Sequence, residues 1–369
     1  MVNKPYLKIF MNISVLIPST FFFFFGAEVL CRNLNLTEKF DADFKFYIRN
    51  VDTDVKTEYN VEDFLLMWRP KENYVKGSIE INSEGFRDKE YKKQKYHGVF
   101  RILCLGDSTT FGFGVKLSET YHGLLENKLN GELGSQQRKF EVINAGVTGY
   151  TSAQGLALYK YKGIEYHPDI VTFYFGINDP IKRFYMNDNR IMQTRLPLFL
   201  RLFMNNYLIR LDSYRLLRKI ILTPWRNKEK GTKENIARVS LSDFKSNILE
   251  LNRLCQSHGA TLVLISPPFC PDARLGSVWF ESMCPEEKAE FLERMKDIAL
   301  YRKTLEDVAS QCRIPLIQIQ EMSDQSGSGA GDYFQDSVHP SKLGHERIML
   351  PIYSYLMKKL GYKKAERQR

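Results

Sequence analysis

Short apolar runs alternate along the chain with longer stretches whose apolar positions recur every three to four residues. Residues 100–105 form the first apolar run and predict a strand, and residues 121–133 follow with a helical pattern. Residues 140–143 predict a second strand, residues 153–163 a helix, and residues 170–175 a third strand rich in β-branched and aromatic side chains. Phe244, Ile248, Leu251 and Leu254 keep helical spacing within 244–257. Residues 261–265 predict a fourth strand, stopped by Pro267 and Pro268. A helix over 286–312, a fifth strand over 314–317 and a last helix over 343–360 complete the pattern. Apolar strands alternating with helices predict a parallel sheet covered on both faces. No internal repeat interrupts this order, and the Gly/Ser-rich 326–331 segment reads as a loop.

Two regions depart from the alternation. The first is the N-terminus. Lys4 and Lys8 precede an uncharged run over 9–27 that holds five consecutive phenylalanines, Phe21 to Phe25. As a helix this run would be about 28 Å long, close to the apolar thickness of a bilayer. It is longer than the usual apolar stretch of a signal peptide and lacks a small-x-small cleavage site. Glu28, Val29 and Leu30 before Cys31 do not resemble a lipoprotein cleavage box. Residues 1–32 are therefore expected to be an uncleaved signal anchor, with a cleaved signal peptide as the alternative. Two lysines before the run place the N-terminus in the cytoplasm and the remainder outside. Residues 33–97, polar and turn-rich, read as a juxtamembrane lead-in to a main domain over 98–362.

The second departure is an insertion over about 183–240, after the third strand. Its middle mixes Leu, Phe, Ile and Tyr with Arg201, Arg210, Arg215, Arg218 and Lys219, and its end, 226–238, is mostly basic and polar. A basic amphipathic helix of this kind can lie on a membrane surface. It can equally be a lid whose apolar face packs on the domain while its arginines face solvent.

Composition narrows the class. Hydrophobic residues make up 43% and charged residues 26% of the chain, a globular balance. The net charge of +10 favours anionic surfaces without choosing among them, and no nucleic-acid motif accompanies it. Of the six cysteines, Cys270 and Cys284 bracket a proline-flanked loop and are the best candidate disulfide pair outside the cytoplasm. Cys104 sits in an apolar strand and reads as a buried small side chain. The spacings fit no zinc site, and there is no phosphate-cradling glycine loop, so no cofactor or metal is expected.

Four segments carry candidate chemistry. Gly106-Asp107-Ser108-Thr109 lies where the first strand ends, which presents Ser108 at the mouth of a doubly wound sheet. A serine there is also an ordinary helix cap. Asp336 stands three residues before His339. That spacing lets the carboxylate accept from one imidazole nitrogen and leaves the other free to take a serine proton. Alone it is also compatible with a surface turn. Gly149 follows the second strand, where a glycine can offer its N–H to an oxyanion without a side chain in the way. Asn178 follows the third strand and offers amide donors to the same anion. Asp107 reads as ordering the nucleophile turn, and His345, on the following helix, as structural.

Taken together, Ser108, Gly149, Asn178 and His339 resemble the four blocks that name the SGNH (GDSL-like) hydrolases, in the family's order. The resemblance covers about 98–360, with the insertion as extra material. It implies a flavodoxin-like three-layer α/β/α sandwich with a five-stranded parallel sheet, preceded here by the transmembrane helix. It also implies a catalytic triad of Ser108, His339 and Asp336, and an oxyanion hole built from Ser108, Gly149 and Asn178. The first block has Thr109 where the family's older name has leucine, at a position that is not catalytic. The stretch from Asn82 to Asp88 looks like a lead-in of anchored, cell-surface members.

The expected activity is hydrolysis of an O-acyl ester, an acetyl group on an envelope glycan or a lipid-like ester. An acyltransferase using the same triad on a glycan hydroxyl shares the acyl-enzyme and is the alternative. A catalytically idle binding module is the third reading, and the intact set of four blocks argues against it.

Overall fold

The computed structural model describes residues 4–36, 58–63, 65–135, 138–183, 187–192, 199–200, 203–204, 207–217, 220, 236–268, 284–319, 333–336 and 338–362. Helix α1 (Lys4–Asn33) contains the apolar N-terminal run. Among the described residues it holds the one stretch long and apolar enough to cross a membrane, Ser14–Asn33, with a mean hydropathy of 1.7. The phenylalanines Phe21 to Phe25 are all exposed. The helix continues past the predicted end of the run through Glu28 and Arg32, which pair across one turn at 2.8 Å.

The lead-in contributes an antiparallel hairpin of β1 (Asn60–Asp63) and β2 (Met67–Pro70). Then come β3 (Val99–Gly106), the four-residue α2 (Ser108–Phe111), α3 (Tyr121–Leu133), β4 (Lys139–Gly146), α4 (Ser152–Tyr161) and β5 (Ile170–Tyr174). The insertion opens and closes on an antiparallel pair, β6 (Lys182–Arg183) with β7 (Ile236–Ala237), and α5 (Asp188–Met192) lies between them. The chain ends with α6 (Leu241–Ser257), β8 (Thr261–Ser266), α7 (Pro285–Cys312), β9 (Leu316–Gln318) and α8 (Lys342–Lys359).

Strands β9, β8, β5, β3 and β4 form one parallel sheet in that order. In chain order this is 2-1-3-4-5, the flavodoxin-like doubly wound topology. All five predicted strands and the five predicted helices are present, within three residues at each end. Side-chain alternation explains why the sheet is covered twice. Leu103, Leu105, Val171, Phe173, Leu262 and Leu264 pack on the face shared with α4 and α6. Their neighbours Ile102, Cys104, Ile170, Val263 and Ile265 pack on the opposite face with α3 and α8. Cys104 is fully buried there, as its strand position predicts. Cys270 lies outside the described residues, and the expected Cys270–Cys284 pairing with it.

The lead-in packs closely on this unit. Trp68 is fully buried in the core cluster of the first face, and Phe86 joins it. Arg87 is also buried.

Candidate active site

Ser108, Gly149 and Asn178 leave the carboxyl ends of three adjacent strands, β3, β4 and β5. Ser108 is the first residue of α2. Asp107 caps that helix by accepting from the Thr109 N–H at 2.9 Å, and Gly112 ends it in the left-handed conformation. The short helix sits down on the strand ends because Gly106 and Gly146 leave room. A Cβ on Gly106 would lie 2.0 Å from Thr110 Oγ1, and one on Gly146 would lie 2.3 Å from the Phe111 nitrogen. Arg87 reaches over from the lead-in and donates to the carbonyls of Phe111 at 3.0 Å and Val115 at 2.8 Å. Carbonyls at the end of the serine's helix are thereby satisfied by a residue that precedes the sheet.

His339 arrives from the loop before α8, 231 residues further along the chain, and its Nε2 lies 2.8 Å from Ser108 Oγ. Its Nδ1 lies 2.6 Å from Asp336 Oδ2. The other Asp336 oxygen accepts from the backbone N–H groups of Val338 at 2.9 Å and His339 at 2.7 Å. One carboxylate therefore shapes the loop and orients the ring it carries. Burial acts to raise the Asp336 carboxyl. The His339 hydrogen bond and charge, with the two backbone donors, outweigh burial and hold the group at about 2. The Phe113 ring packs on the imidazole, with centroids 4.9 Å apart. Ser108 and His339 are both buried, at 8% and 6% exposure, so the pair is largely screened from water yet still reachable.

Gly149 adopts φ +74, a conformation that favours glycine. Asn178 is buried and donates from Nδ2 to the Tyr150 carbonyl at 3.0 Å. Gly149 and Asn178 thus belong to one hydrogen-bonded loop pair. Asp179 ties that pair to α4, accepting from the Ser152 N–H at 3.0 Å and from the Gly176 N–H at 3.1 Å. Asp107 is fully buried, and burial pushes its carboxyl up to about 7 despite the Thr109 N–H and the charge of His339. No group of three His, Cys, Asp or Glu among the described residues is arranged to hold a metal ion.

A family model for GDSL-like lipases and acylhydrolases matches residues 104–347, more than half of the 369 residues. The chain belongs to that family. Solved structures similar to it include TesA, with 17% identity and a TM-score of 0.42 over 70% of this chain and 98% of that one. The lipase/acylhydrolase from Enterococcus faecalis has 19% identity and a TM-score of 0.42, covering 72% and 100%. Axe2, an acetylxylan esterase from Geobacillus stearothermophilus, has 13% identity and a TM-score of 0.43, covering 73% and 97%. Comparison with curated proteins finds no match to this sequence.

Sequence reasoning did not assign Arg87, Trp68, Asp179 or Arg238 to the site. The 82–88 stretch stands out in the lead-in, but no pattern along the chain shows what Arg87 or Trp68 would touch. Arg238 closes a basic, polar run whose arginines read as solvent-facing. It is instead fully buried, with its guanidinium 2.9 Å from the equally buried Asp188.

Proposed function

We propose that this GDSL-family protein is a serine esterase that cleaves O-acyl esters, with Ser108 as nucleophile, His339 as general base and Asp336 as the residue that orients it. The single observation that carries the reading is the continuous series Ser108 Oγ, His339 Nε2, His339 Nδ1 and Asp336 Oδ2 at 2.8 and 2.6 Å. In this mechanism Ser108 attacks the ester carbonyl while its proton passes to His339 Nε2. Asp336 stabilises the imidazolium, and His339 returns the proton to the leaving alcohol. Water, activated by the same nitrogen, then releases the acid from the acyl-enzyme. The oxyanion of each tetrahedral intermediate is held by the N–H groups of Ser108 and Gly149 and by the Asn178 amide. No step calls for a cofactor.

We further propose the arrangement of the chain. Residues 1–32 anchor it, with Lys4 and Lys8 on the cytoplasmic side. Residues 33–97 lead into the hydrolase unit over 98–362, which lies outside the cytoplasm, with the insertion at about 183–240. The substrate is an ester-bearing glycan or lipid near the membrane. The insertion is read as a second membrane contact. The Glu28 carboxylate near the end of α1 accepts from the N–H groups of Asp212 and Ser213 at 3.1 and 2.9 Å and from the Ser213 hydroxyl at 2.7 Å. That contact ties the insertion to the end of the apolar helix. Phe199, Phe203, Tyr207, Leu217 and Ile220 of the insertion stand exposed. Exposed apolar side chains of this number fit a lipid surface.

The test of the reaction is release of free acid from short- and medium-chain esters by the full-length protein in detergent. Release supports the esterase. Absence of release by the folded protein, with transfer to an added sugar hydroxyl, replaces it with an acyltransferase.

A further inference from the structure

Three consecutive carbonyls in the loop after β4 each receive a side-chain donor, and each donor comes from a different part of the chain. The Thr148 carbonyl accepts from Trp68 Nε1 at 3.1 Å. The Gly149 carbonyl accepts from Arg238 Nη1 at 2.7 Å. The Tyr150 carbonyl accepts from Asn178 Nδ2 at 3.0 Å. The Tyr150 hydroxyl closes the set by donating to the Trp68 carbonyl at 2.6 Å, and Asn60 Nδ2 donates to Thr148 Oγ1 at 3.2 Å. Trp68 and Asn60 belong to the lead-in hairpin, and Arg238 to the end of the insertion.

A trans peptide unit is planar, so its C=O and N–H point in opposite directions. The Thr148 carbonyl and the Gly149 N–H share one such unit. A donor that fixes the carbonyl therefore aims the N–H. The bond from Arg238 to the next carbonyl fixes the neighbouring unit, and with it the φ +74 of Gly149 between the two.

Arg238 is itself immobilised. Its Nε and Nη2 lie 3.1 and 2.9 Å from Asp188 Oδ2, and Nη2 donates to Gln154 Oε1 at 2.9 Å. Its guanidinium lies 5.5 Å from the centroid of the Trp68 ring. A planar fork with several donors makes these contacts together, and a lysine ammonium cannot.

We propose that Trp68 and Arg238 are positioning residues that aim the Gly149 N–H at the oxyanion, so that the lead-in hairpin and the base of the insertion are working parts of the hydrolase. This rests on the serine esterase reading above. It gives both segments a role that the doubly wound sheet alone does not need.

The test uses the full-length protein in detergent, as wild type, Ser108→Ala, Trp68→Phe and Arg238→Lys. Trp68→Phe keeps the ring and removes the Nε1 donor. Each preparation is assayed on a p-nitrophenyl ester, and its competent sites are counted by titration with a fluorophosphonate. The expected result is a kcat per titrated site lowered about 10- to 100-fold in Trp68→Phe and in Arg238→Lys, with KM and the pH profile unchanged. A purely structural role would lower the number of titratable sites and leave kcat per site at the wild-type value. That outcome in either foldable variant overturns the proposal. Turnover that survives in Ser108→Ala overturns the esterase reading instead, whatever the other two variants do.

Discussion

Asn178 and Tyr150, which follow the two strands that flank β3 in the sheet, are joined by a 3.0 Å hydrogen bond from the Asn178 amide to the Tyr150 carbonyl. One amide hydrogen is thereby used to hold the Gly149 loop in place, and the second is available to an oxyanion. Asn178→Ala removes both. The expected loss in kcat is about 10²- to 10³-fold, with the fold intact by circular dichroism. A loss under about tenfold would remove Asn178 from the proposed oxyanion hole.

Asp336 divides its two oxygens between the backbone of its own loop and the His339 ring. Asp336→Asn keeps the loop acceptor and destroys the acceptor for Nδ1–H, so the ring is no longer held in the productive tautomer. Steady-state kinetics should show kcat lowered on the order of 10⁴-fold with KM little changed. A variant that retains most of its turnover would mean that another group orients His339.

Two buried groups give stability opposite dependences on pH. His345 is buried in α8, and burial, helped by the charges of Arg87 and His339, lowers its pKa to about 3. The unfolded chain binds a proton there below about pH 6.5 and the folded chain does not. Stability should therefore fall as pH drops from 6.5 toward 3. Asp336, held at about 2, adds its own loss below about pH 4. Urea midpoints of His345→Gln should fall less steeply over the upper part of that range than those of the wild type.

Asp107 works the other way. Burial raises its carboxyl to about 7, so the folded chain binds a proton that the unfolded chain has released above about pH 4. Its contribution is full at low pH and is lost as pH rises through 7. Asp107→Asn keeps the acceptor for Thr109 and carries no charge. Its melting temperature relative to wild type should rise from pH 5 to about pH 7 and then level off, and a flat difference across that range would contradict the assignment.

The insertion is tied to α1 through Glu28, and the bond is tested separately from the membrane. Glu28→Ala leaves the Asp212 and Ser213 N–H groups without their acceptor, so tryptic cleavage at the insertion's arginines should accelerate several-fold. For the membrane contact, Phe203→Trp in lipid nanodiscs should gain fluorescence that brominated phospholipid quenches. Leu249→Trp, exposed on α6, provides the comparison. Equal quenching at the two positions would leave the insertion as a lid without lipid contact.

Much of this architecture was legible in the sequence because it is written in local periodicity. The alternation of 170–174 and 261–266 between two core faces, and the helical spacing of 244–257, are properties of neighbouring residues. Ser108, Gly149, Asn178 and His339 were legible by their positions after predicted strands and before the last helix. Arg87, Trp68 and Arg238 were not. The site carbonyls they reach, those of Phe111, Thr148 and Gly149, lie between 24 and 89 residues away, and their role depends on which backbone carbonyls need a donor once the strands are assembled. A buried arginine and a solvent-facing one look alike in a basic run, and partners far along the chain, such as Asp188 50 residues earlier and Gly149 89 residues earlier, distinguish them.

The account stands most directly on Ser108. The decisive measurement is turnover of p-nitrophenyl acetate and p-nitrophenyl octanoate by the full-length protein in detergent, with Ser108→Ala purified and folded beside it. The account predicts turnover by the wild type on at least one ester and its fall to background in Ser108→Ala, with unchanged circular dichroism. Turnover that persists in Ser108→Ala would contradict it and move the chemistry to another residue.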